Sequence, residues 1–194
     1  NGGGTVTPGN GKILIAYFSR WGNTNYPADV DASTGASIQI RSGNRQGTNQ
    51  IVAEYIRSAV GGDIHLIETT NPYPVDFDAV RDQNHAEQAA GTLPSLKNRI
   101  ENMEQYETVF IGYPVWSMDV PQAIHSFLAA YDFSGKRVVP FCTHDGYGAG
   151  HSYRSITDGA TGATVLEGIA LSAVNVLSSE EAVKEWLERI GIER

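Results

Sequence analysis

An α/β fold with a parallel sheet covered by helices on both faces is the architecture this sequence predicts. Three observations carry it. Short apolar runs of strand length alternate with segments of helical periodicity from Lys12 to the C-terminus. The length, 194 residues, suits one large domain, and no internal repeat divides it. The single cysteine, Cys142, excludes a disulfide framework, and no Cys/His spacing resembles a zinc site, so packing must hold the fold.

Lys12 to Phe18 is almost continuously apolar, as in a parallel strand buried on both faces. Ile51, Val52, Tyr55, Ile56, Ala59 and Val60 then recur at helical spacing, and Gly61-Gly62 supplies the stop. The stretch between, about residues 22–46, is polar and Gly-rich, far longer than the roughly two to six residues usual between strand and helix. Ala36 to Ile40 has the composition of a short strand inside this insertion. Asp63 to Glu68 alternates as a second core strand, and Asp76 to Ala90 reads as a polar, poorly amphipathic helix. Glu107 to Gly112 is the third strand, followed by a helix with Ile124, Phe127, Leu128 and Tyr131 on one face. Lys136 to Cys142 is the fourth strand, and beyond a Gly-rich loop Val165 to Leu171 supplies a fifth. Ser178 with Glu181 forms a capping box that opens a last helix, with Val183, Trp186, Leu187 and Ile190 on its apolar face and Gly191 as its end.

Composition narrows the functional classes. The net charge of -8 repels a polyanion and argues against broad nucleic-acid binding; cationic or neutral partners fit better. No apolar run approaches the roughly 18 residues that span a bilayer. Residues 1–11 hold one aliphatic residue, Val6, among Gly, Thr, Asn and Pro, and read as a flexible tail ahead of a domain over residues 12–194. Such a tail is consistent with a cytoplasmic protein or with an exported one on a flexible tether.

In an open sheet of this kind ligands bind beyond the carboxyl ends of the strands. The segments there are Ser19-Arg20-Trp21-Gly22-Asn23-Thr24 after strand one, Arg45-Gln46-Gly47-Thr48-Asn49 before the first helix, Gly112-Tyr113-Pro114-Val115-Trp116-Ser117-Met118 after strand three, and Thr143-His144-Asp145-Gly146-Tyr147-Gly148-Ala149-Gly150 after strand four. With Tyr17-Phe18-Ser19 running toward Gly22-Asn23-Thr24, the helix Ile51 to Ile56, the strand and loop Ile111 to Trp116, and Phe133 to Gly148, the chain resembles the flavodoxin family. The resemblance implies a three-layer sandwich with a five-stranded parallel sheet in the order 2-1-3-4-5, noncovalent FMN, and electron transfer.

A phosphate in an acidic protein is best held by backbone N–H groups at a helix N-terminus, with hydroxyls and a close-approaching Gly. Ser19, Gly47, Thr48 and Asn49 meet that description. Gly22-Asn23-Thr24 has the family's residue order, but Gly47-Thr48-Asn49 abuts the helix, and the helix field fades within about one turn, which favours the latter. For the flavin ring, the resemblance places Pro114, Val115, Trp116 and Ser117 at the isoalloxazine and the Thr143 to Gly148 loop opposite. Trp116 is the first stacking partner, Tyr147 the second, and Trp21 a third from the insertion side. His144 has two readings, a flavin contact or a turn cap. An acidic surround disfavours a fully reduced, anionic flavin and lowers its potential. No residue need act as acid, base or nucleophile.

Three other readings stand beside electron transfer with redox partner proteins. A long insertion that covers the flavin edge favours an FMN-dependent NAD(P)H or quinone reductase with a small-molecule donor. Cys142 at a strand end with His144 two residues on permits a thiol hydrolase, against the plainer reading of a buried apolar cysteine. The scrambled order of Gly47-Thr48-Asn49 permits a flavin-free binding module.

Overall fold

The computed structural model describes residues 12–30 and 37–194; the N-terminal tail and Ala36 lie outside them. In chain order the elements are β1 (Lys12–Phe18), β2 (Ile38–Arg41), β3 (Asn44–Gly47), α1 (Thr48–Val60), β4 (Asp63–Ile67), α2 (Phe77–Ala90), β5 (Tyr106–Pro114), α3 (Gln122–Ala130), β6 (Arg137–His144), α4 (Ser152–Gly159), β7 (Thr164–Val165), β8 (Ile169–Ser172) and α5 (Glu180–Arg189). The main sheet runs β4-β1-β5-β6, with β7 and β8 both paired to the outer side of β6, and every pairing is parallel. Counting β7 and β8 as one interrupted edge strand, the order is 2-1-3-4-5, as the resemblance implied.

The interruption has a cause in β6. Thr164 and Leu166 donate their N–H groups to the carbonyls of Lys136 and Val138. The next β6 residue pointing the same way is Pro140, which has no N–H to return. The register advances by one residue there, from Val138 opposite Val165 to Phe141 opposite Ile169. Gly168 fits the bulge because a Cβ would lie 2.7 Å from the Pro140 carbonyl oxygen and 2.8 Å from the Tyr153 ring. The Glu167 carbonyl, turned out of the ladder, accepts the Trp186 indole N–H at 2.9 Å.

Strand alternation divides the core into two layers. Leu14, Ala16 and Phe18 share one face of the sheet with Val109 and Ile111 and pack with Ile124 and Phe127 beneath α2, α3 and α4. Ile15 and Tyr17 share the other face with Phe110 and Phe141 and pack with Ile51, Ile56 and Trp186 beneath α1 and α5. Each Leu, Ile, Val or Phe among them, buried in full, contributes roughly 1.5–3 kcal/mol. The faces expected for α1, α3 and α5 are the ones that pack.

α2 forms despite a weak apolar pattern because its ends are well made: the Asp76 carboxylate accepts the Ala79 N–H at 2.9 Å, and Gly91 closes the helix in the left-handed region at φ 64°. α4 lies where the sequence reads as a Gly-rich loop; Ile156 is its one fully buried apolar side chain. The capping box expected at Ser178 does not form. Ser178 and Ser179 donate their hydroxyls back to the carbonyls of Asn175 and Val176, closing a 3-10 turn over Ala173–Ser178, and α5 starts at Glu180. No helix among the described residues is long and apolar enough to cross a membrane.

Candidate functional site

The carboxyl ends of β1, β5 and β6 meet the N-terminus of α1 at one end of the sheet. The insertion brings α1 there through the β2–β3 hairpin, whose two-residue turn, Ser42 (φ 52°) and Gly43 (φ 79°), has both residues left-handed as a tight hairpin turn requires. The strand within the insertion therefore spans Ile38–Arg41 rather than ending at Ile40. Ile38 is fully buried and anchors the hairpin, and Arg41 pairs with Glu54 on α1.

Gly47 is at once the last residue of β3 and the N-cap of α1. A Cβ at this position would lie 2.1 Å from the Ser19 hydroxyl oxygen, so only glycine lets the helix start come this close to the end of β1. Thr48 and Asn49 follow, both buried, and both reach across to β6: Asn49 Nδ2 donates to Thr143 Oγ1 at 3.0 Å, and the Thr48 hydroxyl lies 3.4 Å from the same oxygen. Two leading donors of the helix are satisfied inside the chain, Gly47 N–H by Gln50 Oε1 at 3.3 Å and Thr48 N–H by the Ser37 carbonyl at 3.1 Å. Asn49 Oδ1 is buried without a hydrogen-bond partner.

Gly22-Asn23-Thr24 has a different task. Asn23 donates Nδ2 to the carbonyls of Ser19 and Ile67, both at 2.9 Å, and its Oδ1 accepts the Thr69 N–H at 2.8 Å. Its side chain is thus spent on bracing the ends of β1 and β4.

Beside this corner opens a cleft. Pro114 at the end of β5 with Val115, Trp116 and Ser117 beyond it form one wall, Thr143, His144, Asp145 and Tyr147 another, and Arg20, Phe77, Val80, Arg81 and Asn84 a third, with Ser37 and Ala173 completing the lining. Trp116 is half-buried and held edge-on by Phe18 and Tyr73, each with ring centroids 5.4 Å away. Its loop turns through Ser117 (φ 50°) and Met118 (φ 66°), non-Gly residues in the left-handed region, closed by reciprocal backbone bonds between Trp116 and Asp119. α2 clamps that turn: Gln88 donates to the Trp116 carbonyl at 3.1 Å, and Asn84 and His85 contact the Ser117 hydroxyl at 3.3 and 2.8 Å. Tyr147 donates its hydroxyl to the Val115 carbonyl at 3.2 Å while keeping 48% of its surface exposed. His144 takes the capping role, its Nδ1 accepting the Gly146 N–H at 2.9 Å.

Of the residues singled out in the sequence, Pro114, Val115, Trp116, Ser117, Thr143 and Tyr147 line the cleft, and Ser19, Gly47, Thr48 and Asn49 form the adjoining corner. Trp21 lies beside that corner but stacks on Tyr26, with centroids 5.9 Å apart and planes 19° from parallel; it does not line the cleft, and neither does Gly148. The α2 wall was missed, although Phe77, Val80, Arg81 and Asn84 stand at i, i+3, i+4 and i+7, a helical face visible in the sequence. Nothing in the sequence signals Ser37 or Ala173.

Arg20 was also missed. Only 2% of it is exposed, and its Nη2 donates to the carbonyls of Pro74 and Val75 at 3.2 and 3.0 Å. Its guanidinium lies 5.4 Å from the centre of the Tyr26 ring, and Nε is buried without a partner. Among the described residues no carboxylate forms an ion pair with it. Cys142, by contrast, is fully buried, its sulfur 4.0 Å from the Tyr153 hydroxyl, and burial pushes its thiol up to about 12. It is a core residue and not an ionised nucleophile at neutral pH. No group of metal-ligating side chains occurs among the described residues.

A sequence profile described as flavodoxin matches residues 37–190. The chain belongs to the flavodoxin family. Flavodoxins bind FMN noncovalently, and FMN is the cofactor the family assigns to this chain. The solved structures it resembles include an assigned flavoprotein of Bacteroides eggerthii, 29% identical, with a TM-score of 0.72 over 95% of this chain and 100% of that one. An assigned flavoprotein of Bacteroides uniformis is 23% identical, with a TM-score of 0.67 over 92% of this chain and 98% of that one. A flavoprotein of Lactobacillus acidophilus, solved with FMN, is 20% identical, with a TM-score of 0.59 over 86% of this chain and 97% of that one. Comparison with curated proteins gives no match.

Proposed function

We propose that this flavodoxin carries electrons between partner proteins that dock at the mouth of the cleft. One observation supports that reading most. Exposed apolar side chains gather where the cleft opens: Phe77 and Tyr147 on its lining, 52% and 48% exposed, with Val75 beside Arg20 and Met118 beside Ser117, 40% and 43% exposed. An apolar rim around a redox site is what a transient electron-transfer contact uses, and Asp76, Asp78 and Asp145 next to it favour a basic partner.

The residues fit the cofactor. Ser19, Gly47, Thr48 and Asn49 would hold the phosphate, with the Ser19 and Thr48 hydroxyls as donors beside the bare Gly47 backbone at the head of α1. Trp116 and Tyr147 would flank the ring, which Thr143 and Pro114 support from the strand ends. FMN, when bound, supplies the redox chemistry. The chain orients it, excludes water on the α2 side and sets its surroundings; no side chain need react.

The reductase reading has its own support. Ser37, from the insertion, and Phe77, from α2, both stand on the lining, so the cleft is walled on sides that an open carrier leaves free. Adding NADH or NADPH alone to the FMN-loaded protein separates the two. Persistence of the oxidised flavin spectrum, with rapid bleaching once a ferredoxin-type reductase is added, is the expected result for a carrier. Bleaching by the nicotinamide alone would replace it with the reductase reading.

A further inference from the structure

The distribution of charge around the cleft does not follow the net charge. The chain carries -8, and that excess led to the expectation of a depressed flavin potential. Yet the cleft holds a buried guanidinium, Arg20, that forms no ion pair among the described residues. The surrounding acids are solvated by comparison: Asp145 on the lining is exposed, and so is Asp76, the carboxylate that acts on Arg20. Exposed charges are screened within about 10 Å at ordinary ionic strength, whereas a charge in a low-dielectric wall is screened far less. A buried charge on the lining therefore counts for more than the more numerous solvated ones. The other charged or titratable groups on the lining are Arg81, His144 and Tyr147.

Resting on the FMN reading above, we propose that Arg20 is the residue that stabilises the fully reduced, anionic flavin, raising its two-electron potential against the trend of the chain's net charge. The step balances as follows: the oxidised ring takes up two electrons and one proton and gains one negative charge, with dithionite as the donor, itself oxidised to sulfite. Arg20 is built to stay in place for this. Two carbonyls fix Nη2, the Tyr26 ring packs beside the guanidinium, and the buried Nε N–H has no partner. It acts on the ring electrostatically, as a positioning residue for charge.

The test uses the full chain loaded with FMN, as wild type, Arg20→Lys and Arg20→Gln, reduced by dithionite beside a reference dye, with FMN and riboflavin affinities measured in parallel. Arg20→Gln is expected to lower the potential by about 30 mV or more, equivalent to a tenfold shift in the two-electron equilibrium, while Arg20→Lys retains most of the wild-type value. FMN and riboflavin are expected to lose affinity together or not at all. An unchanged potential in Arg20→Gln overturns the proposal. So does loss of FMN affinity with riboflavin affinity intact, which would assign Arg20 to the phosphate. Should Arg20→Gln fail to fold, the wild type decides: between pH 5.5 and 6.5 an anionic product gives a slope of about 30 mV per pH unit, and a slope near 60 mV marks a neutral product and overturns the proposal. Failure of the wild type to take up FMN would appear earlier, at loading, and would sink the FMN reading itself.

Discussion

Gly47 carries the tightest steric constraint at the head of α1, because any side chain there would have to displace the Ser19 hydroxyl. Gly47→Ala is accordingly expected to weaken FMN binding by about tenfold or more, some 1.4 kcal/mol. Riboflavin, which lacks the phosphate, should lose much less, and titration of the two ligands by fluorescence quenching reads the difference. Equal losses would move the phosphate away from this corner. At Cys142 the expectation concerns pH. Burial pushes its thiol up to about 12 from an ordinary value near 9, and the same cause raises Tyr17 to about 12 and Tyr113 and Tyr153 further. The fold thus holds their neutral forms, so this stability is intact below about pH 9 and drains away as pH rises toward 12 and the unfolded chain ionises first. Melting temperatures at pH 8, 9.5 and 11 should fall in that order. Ellman's reagent should leave Cys142 untouched in the native protein and react on unfolding.

At the scale of elements, α2 serves both as a structural helix and as a wall of the cleft, and its N-cap is the most economical place to test it. Asp76→Ala removes the acceptor of the Ala79 N–H and is expected to cost about 1 kcal/mol, or roughly 2–4 °C in melting temperature. FMN affinity should fall further than stability alone requires, since α2 clamps the Trp116-Ser117 turn. The elements legible in the sequence are those whose side chains repeat with the period of their backbone: β1, α1, β5, α3 and α5 announce themselves because one or both faces are wholly apolar. What stayed hidden depends on contacts distant in sequence. α4 is held by one buried isoleucine and by hydrogen bonds of Ser152 with Tyr113 and of Ser155 with Asp119, and the break in the edge strand arises from Pro140 on its neighbour. Likewise the corner at Gly47 to Asn49 could be read from adjacency to a helix, while Asn23, which has the more familiar setting, is committed to bracing for reasons only its four-way hydrogen bonding reveals.

For the molecule as a whole, the charge of -8 and the apolar rim predict how partners arrive. Electron transfer to a basic partner should slow as ionic strength rises, because screening removes steering, while the rate at saturating partner should change little. Stopped-flow traces at 20 and 300 mM salt would separate the two; an identical second-order rate at both would mean that contact at the rim is purely apolar. The edge of the sheet carries one more consequence. A long, flat, unbroken outer strand offers a row of free backbone groups on which a second chain can assemble. Here the outer strand is a two-residue piece and a four-residue piece separated by a bulge, and the Glu167 carbonyl between them is already taken by Trp186. The irregularity that Pro140 imposes thus makes this side of the sheet a poor template for self-association, and protects the protein from aggregating edge to edge.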